Sequence, residues 1–219
     1  MKVLIFGATG MLGQGALREC LLDDEVDSVL VVGRAATGRQ HAKLRELVHE
    51  DLMELAPIEA ELAGHDACLF CLGVSSAGMS ERDYRRITYD LTLAVARTLA
   101  RLSPDLAFVY VSGQGTDSTE RGRSMWARVK GETENALLAL PLRAYLLRPG
   151  YIQPVHGATS RTRLYRAVYL FAAPLYPVVR RLFPRHVTTT ERLARAMISI
   201  ARDGAPKRVL ETGDINAIA

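Results

Sequence analysis

Apolar residues along this chain come in short unbroken runs, and between the runs they recur at helical spacing. Lys2–Phe6, Val29–Val32, Leu44–Val48, Asp66–Gly73, Leu106–Val111 and Leu142–Leu147 are the runs. Most are rich in Val, Ile, Leu and Phe, which predicts strands buried on both faces. Met11, Leu12, Ala16, Leu17, Cys20 and Leu21 predict a helix after the first run, and a modest helix is expected within residues 53–63. Ser80, with Asp83 as capping partner, opens a long helix whose inner face is Ile87, Leu91, Leu93, Val95, Leu99 and Leu102, and Pro104 stops it. Trp126–Ala139 reads as another helix, closed by Pro141. Thr190 is placed to cap a last helix through Ala201, with a short final strand at Arg208–Glu211. Strands alternating with helices predict right-handed crossovers. The expected fold class is therefore α/β, a Rossmann-type doubly wound parallel sheet in strand order 3-2-1-4-5-6, formed by residues 1–219 as a single domain.

The first strand runs straight into Gly7-Ala-Thr-Gly10-Met-Leu-Gly13, and the helix opens within that motif. Strand, glycine turn and helix in this order point to a dinucleotide site. Gly7 allows the turn off the strand, Gly10 lets backbone approach a pyrophosphate, and Gly13 lets the helix pack closely. The helix then directs free N–H groups and its positive end at the phosphates. The second strand ends at Gly33, and the next residue is Arg34, with Arg39 nearby. An acidic residue near this point would take a ribose 2′-hydroxyl, whereas an arginine matches a 2′-phosphate; the expected cofactor is NADP, with NAD as the alternative. Gly73–Gly78 and Ser112–Thr116 are loops of small residues at the carboxyl ends of the fourth and fifth strands, where a ligand of such a sheet lies.

Composition narrows the class further. A hydrophobic fraction of 48% in 219 residues describes an ordinary globular chain with a substantial core. The chain enters strand and glycine loop directly, so no signal peptide is expected, and cytoplasmic residence fits its cysteines. Cys20, Cys68 and Cys71 imply no disulfide framework, and no metal site is expected. Cys68 and Cys71 have C-x-x-C spacing but fall in a strand, where positions three apart face opposite sides. Net charge is +4, yet no Asp or Glu occurs between Glu134 and Glu191, a span with Arg143, Arg148, Arg161, Arg163, Arg166, Arg180, Arg181 and Arg185. Such a basic field suits an anionic ligand or surface, or is a solvated arginine-rich face. Residues 151–187 hold four of the nine prolines and no clear strand, and Ala167–Val179 is uncharged. That run is too short to span a bilayer. The segment reads first as a small substrate-covering insertion favouring an anionic small molecule, then as a dimer surface, then as a peripheral membrane contact. Few aromatics interleave its arginines, so no nucleic-acid partner is expected. A monomer or homodimer fits equally.

These motifs carry a resemblance. GATGMLG, Val31-Val-Gly-Arg34, the Ser112-Gly113 loop, Met125-Trp-Ala-Arg-Val-Lys-Gly-Glu-Thr-Glu134 and Arg148-Pro-Gly150 are similar to those of atypical extended short-chain dehydrogenases/reductases. The chain most resembles the Tat-interacting oxidoreductase-like and NmrA-like branch, whose bacterial members are often called epimerase-like. The likeness covers most of residues 1–150, and Arg195–Ile198 and Ala205–Glu211 extend it. It implies an NAD(P)-binding oxidoreductase-like protein, with hydride transfer to or from a carbonyl or sugar carbon, or a silent NADP-binding sensor. It implies that Gly7, Gly10 and Gly13 hold the pyrophosphate with Thr9, Met11 and Leu12, and that Arg34 contacts the 2′-phosphate. Asp51 and Leu52 would hold adenine, Cys71, Leu72 and Gly73 would lie along the adenosine, and Lys130 would hold the nicotinamide ribose. Ser112 and Lys130 would be the catalytic residues. The family's Tyr-x-x-x-Lys pair is Trp126-Ala-Arg-Val-Lys130 here. An indole N–H donates a hydrogen bond but has no usable acid–base equilibrium, so ordinary phenol proton transfer is lost while binding is spared. Thr116 is a second hydroxyl able to polarise a carbonyl, and Tyr110 and Tyr151 are the candidates for a displaced phenol.

Overall fold

The computed structural model describes residues 1–159 and 181–219. Seven strands form one parallel sheet: β1 (Lys2–Phe6), β2 (Ser28–Gly33), β3 (Leu44–Val48), β4 (Ala67–Phe70), β5 (Ala107–Val111), β6 (Arg143–Arg148) and β9 (Val209–Glu211). Their order is β3-β2-β1-β4-β5-β6-β9, the expected doubly wound order with the final strand added beside β6. Along each strand alternate residues enter opposite cores. Val3 and Ile5 of β1 face helix α1 (Met11–Leu22) and helix α6 (Thr190–Asp203), whereas Leu4 and Phe6 face α4 (Leu91–Leu102) and the end of α5 (Met125–Leu138). Phe6, Phe70 and Phe108 stack across three strands on the latter face, at centroid spacings of 5.9 and 5.6 Å. Both faces are covered, which is why the strands read as continuous apolar runs. Cys68 and Cys71 follow this alternation into opposite cores, as strand spacing requires.

Several elements depart from the sequence reading. The helix expected within 53–63 shrinks to a 3₁₀ turn, Ala56–Ile58, and a single turn α2, Glu59–Leu62. Pro57 has no N–H to carry a helix backwards, and Asp51–Glu54 closes a separate turn, Glu54 N–H to Asp51 C=O at 3.2 Å. The long helix does start at Ser80, whose Oγ accepts from the Asp83 N–H. It then breaks into α3 (Glu81–Arg85), a π turn (Arg86–Asp90) and α4. One extra residue in the turn rotates the inner face, so Tyr84, Thr88 and Thr92 are buried while Ile87, Leu91 and Leu102 are half-buried. Thr189, not Thr190, caps α6, accepting from the Arg192 N–H. Thr190 instead accepts from Val155 N–H at 3.1 Å and packs against Gly15 of α1.

Residues 151–187, read as strandless, contain β7 (Tyr151–Gln153), which pairs in parallel with β8 (Val187–Thr189). The two described ends of the segment therefore meet each other. Arg161, Arg163, Arg166, Arg180 and the apolar run Ala167–Val179 lie outside the described residues. A short helix α7 (Thr212–Ile218) follows β9, opened by reciprocal hydrogen bonds between Glu211 and Asp214. Among the described residues no helix is long and apolar enough to cross a membrane.

Candidate functional site

All the sheet strands are parallel, so the carboxyl ends of β1, β4 and β5 open on one edge. The glycine turn sits there. Gly7 has φ +87, and a Cβ on it would stand 2.8 Å from the Cys71 carbonyl carbon and the Leu72 nitrogen. Gly13 is tighter: its Cβ would fall 2.1 Å from the Gly7 oxygen. These two glycines are required by the protein's own backbone. Gly10 differs. It is the N-cap of α1, its N–H donates to Gly7 C=O at 3.0 Å, and a Cβ on it would meet only that oxygen, at 3.4 Å. The space over Gly10 is open to a ligand. The first turn of α1 holds no acidic residue, and the amides of Met11, Leu12 and Gly13 belong to the turn whose donors a helix leaves unpaired. This cradle fits a diphosphate in shape and in charge. Thr9 and Met11 are half-buried beside it, and the Thr9 carbonyl accepts from Gln14 Nε2 at 3.1 Å.

Around the turn, Arg34 is exposed at the end of β2 and pairs with no carboxylate among the described residues. Glu46 of β3 fixes the loop that follows it, accepting from the Thr37 N–H at 2.7 Å. Asp51 is exposed and accepts from Met53 N–H at 2.9 Å, while Leu52 is buried with Leu55 and Ile58 in the core. Leu52 therefore offers a floor rather than a free side chain. Cys71 N–H extends the ladder to Phe6 C=O at 2.9 Å, and Gly73 faces open space. Burial pushes the Cys71 thiol up to about 12, and raises Cys20 and Cys68 as well, so none is a ready thiolate. Among the described residues no three His, Cys, Asp or Glu side chains gather as a metal-binding group.

On the far side of the cleft, α5 brings Lys130 against the end of β5. Nζ lies 3.5 Å from the Val111 carbonyl and 5.4 Å from the centre of the Tyr110 ring. Burial pushes this lysine down to about 8, against a weaker upward pull from Glu134. Ser112 follows Val111, and its hydroxyl meets two acceptors, Glu134 Oε1 at 2.5 Å and Leu147 C=O at 3.1 Å. Glu134 is 1% exposed and is clasped by Arg148 of β6, whose Nε lies 3.0 and 3.1 Å from its two oxygens; the Arg148 Nη2 bonds it too. Arg148 further reaches Ser118 and stands 3.7 Å from Glu211.

The sequence reading missed this pairing. Arg148 was counted in a basic field, yet it is neutralised by Glu134, and Arg143 points at the Ala201 carbonyl. The available signal was the spacing: Glu134 lies one helical turn beyond Lys130 on the same face. Both candidate phenols are engaged by the protein itself. Tyr110 is 1% exposed among Phe70 and Phe108 on the α4 side, and burial raises its hydroxyl well above the usual range. Tyr151 donates to Gln153 Oε1 at 2.8 Å. Thr116 is buried and donates to Gly113 C=O at 2.8 Å. Trp126 lies half-buried with its ring edge over Gly115, 3.4 Å from where a Cβ would be.

The lowered lysine has a linkage consequence. The unfolded chain holds the Lys130 proton up to its ordinary 10.5, and the folded chain releases it near 8. The folded state thus binds fewer protons in that window, and stability contributed through Lys130 rises with pH across it. Lys130→Met is expected to stabilise the ligand-free protein at pH 7, and the gain should shrink by pH 9.5. Urea unfolding of both proteins at the two pH values checks this.

A family model for the NAD dependent epimerase/dehydratase family matches residues 3–121, more than half of the chain. The chain belongs to this family. The match spans the glycine turn, Arg34, β4, β5 and Ser112. Protein FMP52, mitochondrial, of Meyerozyma guilliermondii is 26% identical over 188 residues, covering 81% of this chain and 79% of that protein. Protein HTATIP2 of Rattus norvegicus is 27% identical over 154 residues, 69% of this chain and 62% of that protein. Among solved structures, the Bordetella bronchiseptica enzyme WbmF in complex with NAD+ superposes with a TM-score of 0.67 at 18% identity. That superposition covers 99% of this chain and 76% of WbmF. The chain is thus a member of an NAD-dependent family and has a Rossmann fold.

Proposed function

We propose that this protein is an NADP(H)-dependent oxidoreductase acting on a small-molecule carbonyl or hydroxyl carbon. The observation that carries the reading is the open cradle over Gly10, flanked by an unpaired Arg34 where an acid would favour NAD. When bound, the dinucleotide supplies hydride transfer at nicotinamide C4. Gly7, Thr9, Gly10, Met11, Leu12 and Gly13 hold its diphosphate, and Arg34 its 2′-phosphate. Asp51 and Leu52 border the adenine. Cys71, Leu72 and Gly73 line the adenosine, Lys130 holds the nicotinamide ribose, and Ser112 faces the reacting oxygen. We infer that the segment 151–187 favours an anionic substrate, a reading supported by its arginines; its described ends, β7 and β8, pair with each other in parallel. Cytoplasmic residence is supported by three free cysteines. A second reading, a silent NADP-binding sensor, is favoured by one observation: Trp126 stands at the phenol position.

Calorimetric titration tests the cofactor assignment. NADPH is expected to bind more tightly than NADH, and Arg34→Ala should lose about 1.5–3 kcal/mol of NADPH affinity, the range for a charge-assisted contact. NADH affinity should stay unchanged. Equal affinities in the wild type would overturn the preference.

A further inference from the structure

The hydroxyl of Ser112 has one hydrogen, and both polar groups beside it, Glu134 Oε1 and Leu147 C=O, are acceptors. Whichever takes the hydrogen, it is spent inside the protein. The lone pairs are what Ser112 offers the cleft. Glu134 is fixed in this arrangement by Arg148 on the neighbouring strand, so the orientation does not depend on a ligand. Ser112 is therefore an acceptor, suited to a ligand O–H or an ammonium N–H, and it has no proton to give a carbonyl.

Lys130 is the complement. Its ammonium carries three donors, and among the described residues only the Val111 carbonyl, at 3.5 Å, receives one. Val111 and Ser112 are consecutive, so Nζ contacts the backbone carbonyl of the residue before Ser112. Among the described residues, the charged and titratable groups around Nζ are Glu134 on α5, Tyr110 on β5 and, through Glu134, Arg148 on β6. Tyr110 presents its ring and its hydroxyl is sealed in the core; Glu134 is held by Arg148. Trp126 has no acid–base equilibrium.

We propose that Lys130 itself carries the proton to and from the substrate oxygen, steadied by the Val111 carbonyl, while Ser112, held by Glu134 and Arg148, offers its lone pairs to the ligand. The proposal rests on the oxidoreductase reading above. In reduction, a bound reduced dinucleotide would supply the hydride that the carbonyl carbon gains, and would itself be oxidised. The carbonyl oxygen gains a proton from the Lys130 ammonium, which becomes the neutral amine and is reprotonated from solvent. Oxidation of an alcohol runs the same exchange backwards. A lysine lowered to about 8 is matched to this duty near neutral pH.

The test combines a titration with a rate. The chain has four lysines, Lys2, Lys43, Lys130 and Lys207, so protein labelled with 13C at lysine Cε gives a resolvable spectrum, and Lys130→Arg assigns one signal. That signal is expected to titrate near 8. NADPH-dependent reduction of 9,10-phenanthrenequinone, used as a carbonyl probe, should fall with the same midpoint as pH rises. In Lys130→Arg, which keeps the cation without titrating, the rate should drop about 10²–10⁴-fold and the pH step should vanish, while calorimetry still shows NADPH binding. Glu134→Gln should move the midpoint, which a merely structural residue would not do. A rate that stays flat through the lysine midpoint, or survives in Lys130→Arg, overturns the lysine assignment and leaves the oxidoreductase reading standing. A wild type that binds NADPH but reduces no quinone overturns that reading, and the proton assignment falls with it.

Discussion

Arg148→Ala is expected to lower the unfolding free energy by about 3–5 kcal/mol, the range for removing one partner of a buried ion pair. Glu134 is 1% exposed and Arg148 13%, so the carboxylate left behind has no route to water. It keeps Ser112, but a hydroxyl does not replace two parallel guanidinium bonds. For a chain of this length the loss corresponds to a fall in melting temperature on the order of 10 °C. The companion variant separates pairing from packing. Arg148→Ala with Glu134→Gln should recover part of the loss, because a buried amide costs less than a buried unpaired charge. Arg143→Ala, whose guanidinium donates to the Ala201 carbonyl at 3.5 Å and has no carboxylate partner among the described residues, should cost under about 1 kcal/mol. Similar losses for Arg148→Ala and Arg143→Ala in thermal and urea unfolding would show that the pair is not a buried unit.

Gly13→Ala is expected to abolish cofactor binding, with at least a hundredfold loss of NADPH affinity. A single methyl would stand 2.1 Å from the Gly7 oxygen and 2.6 Å from the Ala8 α-carbon, and both are backbone. No side chain can swing aside, so either α1 moves off β1 or the turn opens. Both disperse the amides of Met11, Leu12 and Gly13 that converge on the diphosphate. The strain also reaches stability, at about 1–3 kcal/mol, the usual cost of overpacking. Gly10→Ala is the contrasting variant: its methyl would meet only the Gly7 oxygen, at 3.4 Å, so the fold should be kept while the ligand loses its approach. Calorimetry and thermal unfolding of both variants distinguish the two kinds of glycine. A Gly13→Ala protein that binds NADPH normally would refute the packing argument.

The sheet was legible because each of its inner strands is buried on both faces and so spells a continuous apolar run, as in Val3–Phe6 and Ala107–Val111. The glycine turn was legible because its spacing answers a local backbone demand. What escaped depends on distant partners or on small backbone insertions. The π turn at Arg86–Asp90 leaves the helical pattern on both sides intact and announces itself only by the rotated face. β7 is three residues long and exists because it meets β8 more than thirty residues later. Arg148 looked like one arginine of eight in an acid-free stretch. Its carboxylate partner lies on α5, fourteen residues earlier. Charge counted along the chain does not see that pairing. The same limit hid the state of Ser112: its position was readable, whereas its orientation is set by Glu134 and Leu147.

A dinucleotide is expected to bind on the cradle between the ends of β1, β4 and β5. Adding NADPH to 15N-labelled protein and following backbone amide signals tests it most directly. Saturable shifts are expected at Gly10, Met11, Leu12 and Gly13, at Arg34, and at Leu72 and Gly73. A titration that leaves the amides of Gly10–Gly13 unmoved, while signals elsewhere shift or none do, would contradict the account.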